Sequence, residues 1–137
     1  MTDLINWTIF NELLIMDEDE DGFSKSLIQT FIEQAIQTFA EIEEILLNND
    51  NQQDQASLTK LSQLGHYLKG SAASLGLVKI QEQCERIQNY GLLKNFDGAV
   101  PDDGKDFWGG VKLALGSARE EFTSARQFLS DYYKEQL

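Results

Sequence analysis

The chain has 137 residues, with 23 acidic side chains against 11 basic ones and a formal charge of -12. That length suits one domain with a hydrophobic core, and 42% apolar with 25% charged residues is a globular composition. So acidic a surface repels nucleic acid and anionic lipid, so neither nucleic acid nor a membrane is an expected partner and another protein is.

A lone cysteine, Cys84, rules out an internal disulfide. No apolar run approaches the roughly 18 to 20 residues of a membrane span. The opening "MTDLINWTIFNELL" carries an early acid and no basic segment, so it is not read as a targeting peptide. A soluble protein of a reducing compartment is expected.

A single proline leaves long stretches free to be helical, and the apolar periodicity makes the chain all-α. A short accessory helix spans about residues 6–16, capped by Asn6, with Ile5 and Phe10 placed as a hydrophobic staple and Ile9, Phe10, Leu13 and Met16 apolar. The acids Asp17 to Asp21 then end it. "DEDEDG" matches the opening of an EF-hand loop, but the twelfth position is Ile28 rather than glutamate and the eighth is Ser24 rather than apolar. These acids are read as a solvated turn that also favours the positive end of the next helix.

That helix runs over about 24–47 with Ser24 as N-cap, Phe23 packing on Ile28, and a stripe through Phe31, Ile32, Ala35, Phe39, Ile42 and Leu46. After the polar break "NNDNQQDQ", a third spans about 56–75 with Leu58, Leu61, Leu64, Leu68, Ala72 and Leu75 along one side, ended or kinked by Gly76. A fourth spans about 77–90, turning Ile80, Cys84 and Ile87 inward, with Gly91 as a left-handed C-terminal cap. Cys84 is read as a small core residue, and one cysteine with one histidine makes no zinc set. A loop over 91–104 leads to the last helix, about 105–133, whose stripe is Phe107, Val111, Leu115, Ala118, Phe122, Ala125, Leu129 and Tyr132. Four long amphipathic helices joined by short connections predict an antiparallel four-helix bundle, with the short first helix as a lid.

The only histidine, His66, lies in "GHYLKGSAASLGL". On a helical wheel it falls about 150° from the centre of the leucine stripe, so it faces outward. Gly70 lies about 40° from it, and Ala73 and Lys69 roughly 20° and 60° to its other side. Glycine inside an exposed helix costs about 1 kcal/mol relative to alanine, a fault tolerated where something must approach closely. Free imidazole titrates near neutrality, so its neutral form can attack a phosphoryl group without a dedicated base, and Lys69 can balance the incoming charge. No phosphate-cradling glycine loop is present, so the chain does not hold ATP and does not phosphorylate itself.

"HYLKGSAASLG", His66 to Gly76, resembles the signature of histidine-containing phosphotransfer (HPt) domains. With "INWTIFNELLIMDEDEDGFSKSLIQTFIEQA" and "CERIQNYG", nearly the whole chain is similar to the fungal osmosensing phosphorelay intermediates. The resemblance implies a bundle in which His66 takes a phosphoryl group from the receiver-domain aspartate of a hybrid sensor histidine kinase and passes it to the receiver aspartates of response regulators. It implies that Lys69 steadies the phosphoryl group, that Gln88 hydrogen-bonds around the imidazole, and that Gly70 clears the docking surface, with Ser71 and Gly76 as further motif positions. The receiver-binding patch it implies is Ile9, Leu13, Met16, Phe23, Leu27, Tyr67 and Leu68, although Leu68 also lies on the core stripe. Leu92 stands where the fungal relatives have an arginine, which puts a polar rim contact in doubt.

No cofactor of its own is expected; Mg2+ should come with the partner receiver. The resemblance further implies a monomer of cytoplasm and nucleus. Rival readings are a receiver-binding pseudo-HPt adaptor that carries no phosphate, and a plain helical scaffold.

Overall fold

The computed structural model describes residues 5–48, 55–92 and 107–137. All regular structure among them is helical: α1 (Trp7–Ile15), a 3-10 turn (Met16–Glu18), α2 (Phe23–Asn48), α3 (Gln55–Ser74), α4 (Val78–Gly91) and α5 (Phe107–Tyr133). Each end lies within two residues of the expectation from periodicity. The stretches 49–54 and 93–106, which carry the polar break, most of the expected loop and the expected start of the last helix, lie outside the described residues. So does the side chain of Phe107.

The apolar stripes meet as the antiparallel four-helix bundle. α3 packs along α4, α4 along α5, and α2 bridges α3 and α5. Every stripe residue expected on α2 is buried, as are Leu58, Leu61, Leu68, Ala72 and Leu75 on α3, while Leu64 is partly exposed. Ile80, Cys84 and Ile87 of α4 face Val111, Leu115, Ala118, Phe122, Ala125 and Leu129 of α5 across one continuous core. Tyr132 departs from its stripe: it is half-exposed because it covers α1, its ring lying edge-on to Phe10 at 5.5 Å.

α1 lies over the end of the bundle where α3 turns into α4. Asn6 caps it as expected, its Oδ1 accepting from the backbone N–H groups of Thr8 and Ile9 at 3.1 and 3.3 Å. Gly76 ends α3 with φ +76°, a conformation glycine adopts without strain, and its carbonyl accepts from the Asn6 N–H at 2.7 Å. A Cβ there would lie 2.8 Å from the Asn6 carbonyl oxygen, so the turn and the lid fit only through a glycine. Trp7 completes the seat, edge-on to Phe128 of α5 at 5.8 Å.

Two terminal assignments are corrected. Ser24 is not an N-cap: α2 starts at Phe23, and Ser24 lies fully buried in its first turn. The acidic turn does the capping, because Asp17 Oδ1 accepts from the Ser24 N–H at 2.7 Å. The Ser24 hydroxyl, which donates to Asp17 Oδ2 at 2.7 Å, and the Ser24 N–H together hold the Asp17 carboxyl below its ordinary value. Gly91 is not a left-handed cap either; it is the last residue of α4 and has no positive φ. It is glycine for space, since a Cβ would stand 2.6 Å from the Leu58 carbonyl oxygen and 2.7 Å from the Ser62 nitrogen on α3.

Candidate functional site

His66 is exposed on α3, with its neighbours Leu61, Leu68 and Ala72 holding the opposite face in the core. The residue before it explains how the helix can be pressed so closely at this point. A Cβ on Gly65 would lie 2.8 Å from the Cys84 carbonyl oxygen, 2.8 Å from the Gln88 nitrogen and 3.0 Å from Ile87 Cγ2, so α3 and α4 touch backbone to backbone directly behind the imidazole. Sequence reasoning missed this role of Gly65. The usable signal was a glycine on the inner side of α3 paired with the small Cys84 on its neighbour. The Cys84 thiol is buried, which pushes its pKa up to about 12, so it takes no part in surface chemistry.

In front of the imidazole the surface is open. Beyond its own stretch of helix, no atom lies within 4 Å of where a Gly70 Cβ would stand. Lys69 is half-buried and its ammonium makes no hydrogen bond or ion pair with the described residues, so it is not committed elsewhere. The hydroxyls of the next turn lean back along the helix: Ser71 Oγ donates to the Tyr67 carbonyl at 3.5 Å and Ser74 Oγ to the Gly70 carbonyl at 3.0 Å. Gly76, the last motif position, serves the lid described above. His66 also lies outside the groove of about 270 Å³ between α4 and α5, which is lined by Gln83, Arg86, Tyr90, Leu113 and their neighbours. The imidazole therefore stands on an open helix face, suited to a macromolecule that brings its own pocket.

Gln88 is placed behind this face but does not make the expected bond. Its Oε1 is enclosed and has no hydrogen-bond partner, so no imidazole N–H donates to it. The acceptor is left available beside the contact of α3 with α4, where the Gln88 backbone already lies against Gly65.

The expected docking patch divides in two. Tyr67 is 50% exposed, Met16 49% and Leu27 37%, while Ile9 and Phe23 are half-buried, so these can meet a partner. Leu68 is 0% exposed and Leu13 7% exposed; both are core residues and are removed from the patch. Leu68 follows its stripe into α3's inner face, and Leu13 is the position of α1 that seals the lid. Ile15, which the sequence reading did not single out, is 61% exposed beside Met16 and enlarges the apolar surface there. Leu92, which caps the end of α4, is also exposed and presents a hydrocarbon rim.

Among the described residues there is no group of three or more histidine, cysteine, aspartate or glutamate side chains that could hold a metal ion. No helix among them is long and apolar enough to cross a membrane.

Residues 26–127 match the Hpt domain family. The phosphorelay intermediate protein YPD1 of Candida albicans is 36% identical over 178 aligned positions, which take in 96% of this chain and 93% of the relative. The protein of the same description in Saccharomyces cerevisiae is 51% identical over 90 residues, covering 66% of this chain and 50% of the relative. Among solved structures, Saccharomyces cerevisiae Ypd1, co-crystallised with the receiver domain of its downstream response regulator Ssk1, is 38% identical with a TM-score of 0.84. That match covers 100% of this chain and 99% of the other.

Proposed function

The chain belongs to the Hpt family, and from that premise we propose that it is a phosphorelay intermediate in which His66 carries the phosphoryl group between two receiver domains. The observation that carries this reading is an outward histidine on a helix face cleared by Gly70, in a chain that matches the receiver-binding Ypd1 over its full length. In the first half-reaction a lone pair of the neutral imidazole attacks the phosphorus of a receiver's aspartyl phosphate. The acyl P–O bond breaks and the aspartate departs as a carboxylate. In the second, a carboxylate oxygen of another receiver attacks the phosphohistidine, the P–N bond breaks, and the imidazole is released for the next cycle.

The division of labour follows from what lies around His66. Lys69 supplies an uncommitted ammonium one turn away, which pairs with the phosphoryl oxygens without covering the side from which the second aspartate arrives. Gln88, its enclosed Oε1 without a partner, lies against the back of the helix that carries His66 and makes no bond to the ring. Met16, Leu27, Tyr67 and the half-buried Ile9 and Phe23 offer the apolar contact for the receiver, extended by Ile15. Mg2+ and the acceptor aspartate come with the receiver, and the upstream donor is the receiver domain of a hybrid sensor histidine kinase. The protein works as a monomer of cytoplasm and nucleus in a stress relay of the osmosensing kind.

The test is to mix the chain with a phosphorylated receiver domain and then with a second, unphosphorylated one. Acid-labile, alkali-stable phosphate should appear on this chain and then move to the second receiver. Receiver binding without label would instead make it a pseudo-HPt adaptor, and neither binding nor label would make it a scaffold.

A further inference from the structure

The residue that joins the accessory turn to the bundle is Ser24, and its bonding has a direction. The serine is 0% exposed. Its Oγ donates to Asp17 Oδ2 at 2.7 Å and also meets the Tyr133 hydroxyl at 2.7 Å. A serine hydroxyl has one proton and an ionised aspartate can only accept, so the Ser24 proton goes to Asp17 and Tyr133 must donate to Ser24. The chain Tyr133 Oη–H to Ser24 Oγ–H to Asp17 therefore links the end of α5, the start of α2 and the 3-10 turn. Burial raises the Tyr133 pKa, with the Asp17 charge adding to it, so the phenol keeps the proton this arrangement needs.

Capping α2 does not require all of this. Asp17 alone satisfies the Ser24 N–H, and the Tyr133 contact adds nothing to that cap. What it adds is a tether across 109 residues, from the last turn of α5 to the turn that displays Met16 and, before it, Ile15. The same end of α5 is fixed to the start of α2 by Lys25 and Glu135, 3.0 Å apart. It is held in shape by a closing turn in which the Glu135 N–H donates to the Ser130 carbonyl and the Lys134 N–H to that of Asp131.

We propose that the buried Asp17–Ser24–Tyr133 chain is a positioning device: it fixes the 3-10 turn against α5 and so presets the Ile15 and Met16 part of the receiver-docking face. This rests on the phosphorelay reading given above. Tyr133 touches neither the imidazole nor the incoming phosphoryl group; it acts through Ser24 and Asp17.

The variant is Tyr133→Phe, which keeps the ring and deletes only the donor. The measurement is the rate of phosphoryl transfer from a phosphorylated receiver as its concentration is varied, with labelling of His66 by phosphoramidate, a small donor that needs no docking, run alongside. The half-saturating receiver concentration should rise by about two- to ten-fold, the worth of one net hydrogen bond. The saturating rate and the phosphoramidate rate should stay at their wild-type values. Hydrogen exchange should quicken at the Asp19 and Glu20 amides, which bond to the Met16 carbonyl, and not in α3. Ser24→Ala combined with Tyr133→Phe should lose little beyond either alone, because both break one chain. An unchanged half-saturating concentration in Tyr133→Phe, with wild-type transfer intact, overturns the proposal. So does an equal fall in the phosphoramidate rate, which would mean general damage to the fold. Absence of transfer to the wild-type chain falls on the phosphorelay reading itself, and the exchange measurement still reports whether the tether exists.

Discussion

Glycines with opposite physical meanings lie within six residues of one another on α3, and substitution separates them. Gly65 is filled against backbone: a Cβ would stand 2.8 Å from the Cys84 oxygen and the Gln88 nitrogen, and neither can rotate away. Gly65→Ala should therefore lower stability by about 1–3 kcal/mol or more in denaturant unfolding, the usual cost of overpacking. A Cβ on Gly70 would meet nothing within 4 Å beyond its own stretch of helix, so Gly70→Ala should raise stability by up to about 1 kcal/mol through helix propensity alone. Gly70→Gln should fold as well as the wild type and bind receivers poorly. A destabilised Gly70→Ala would show that the position is held by packing rather than kept clear. The sequence made Gly70 legible because an exposed helical glycine has a cost with no local return. Gly65 was not legible, because which glycines are covered by a neighbouring backbone depends on how two helices pair. Gln88 stayed equally hidden: its orphaned oxygen is defined by what does not reach it.

At the scale of elements, the long helices were readable almost to the residue because each buries a strict three-four stripe that no other conformation can hide. Their ends were less so. Ser24 looked like an N-cap in the sequence, yet the cap comes from Asp17, seven residues earlier, and the serine points inward to Tyr133. Local patterns do not reveal a tertiary partner 109 residues away. Likewise Leu13 and Leu68 were apolar at positions compatible with either core or docking face, and only the seated lid and the packed bundle decide for the core.

The Asp17 cap carries a pH prediction. Its carboxyl is held below the ordinary 3.8 by the Ser24 hydroxyl and N–H, so its contribution to stability is complete above that value and is lost as the pH falls through the lowered folded-state pKa. The stability gap between the wild type and Asp17→Asn should be constant near neutrality and close only in strongly acidic solution. A gap that closes above pH 5, well before the usual carboxylate range of about 4, would mean that other groups stabilise the turn.

The described residues form one packed helical bundle, the scaffold of a phosphorelay intermediate of the Hpt family. A continuous core fixes α3, the lid closes one end, and His66 stands on the outside of the bundle. The -12 charge suits this arrangement, in which partners must bring complementary surface of their own. The site that results is modest in appearance, with no metal-binding cluster among the described residues and an imidazole outside the groove between α4 and α5. Its chemistry becomes visible only when the receiver's aspartate is counted in.

The most direct test of this account is to compare the wild type and His66→Gln after exposure to a phosphorylated receiver domain, following acid-labile phosphate together with helicity and melting. Because the His66 side chain is exposed and bonded to nothing among the described residues, the substitution should leave helicity and melting unchanged and abolish the label. Label persisting on a folded His66→Gln would contradict the assignment of His66 as the carrier.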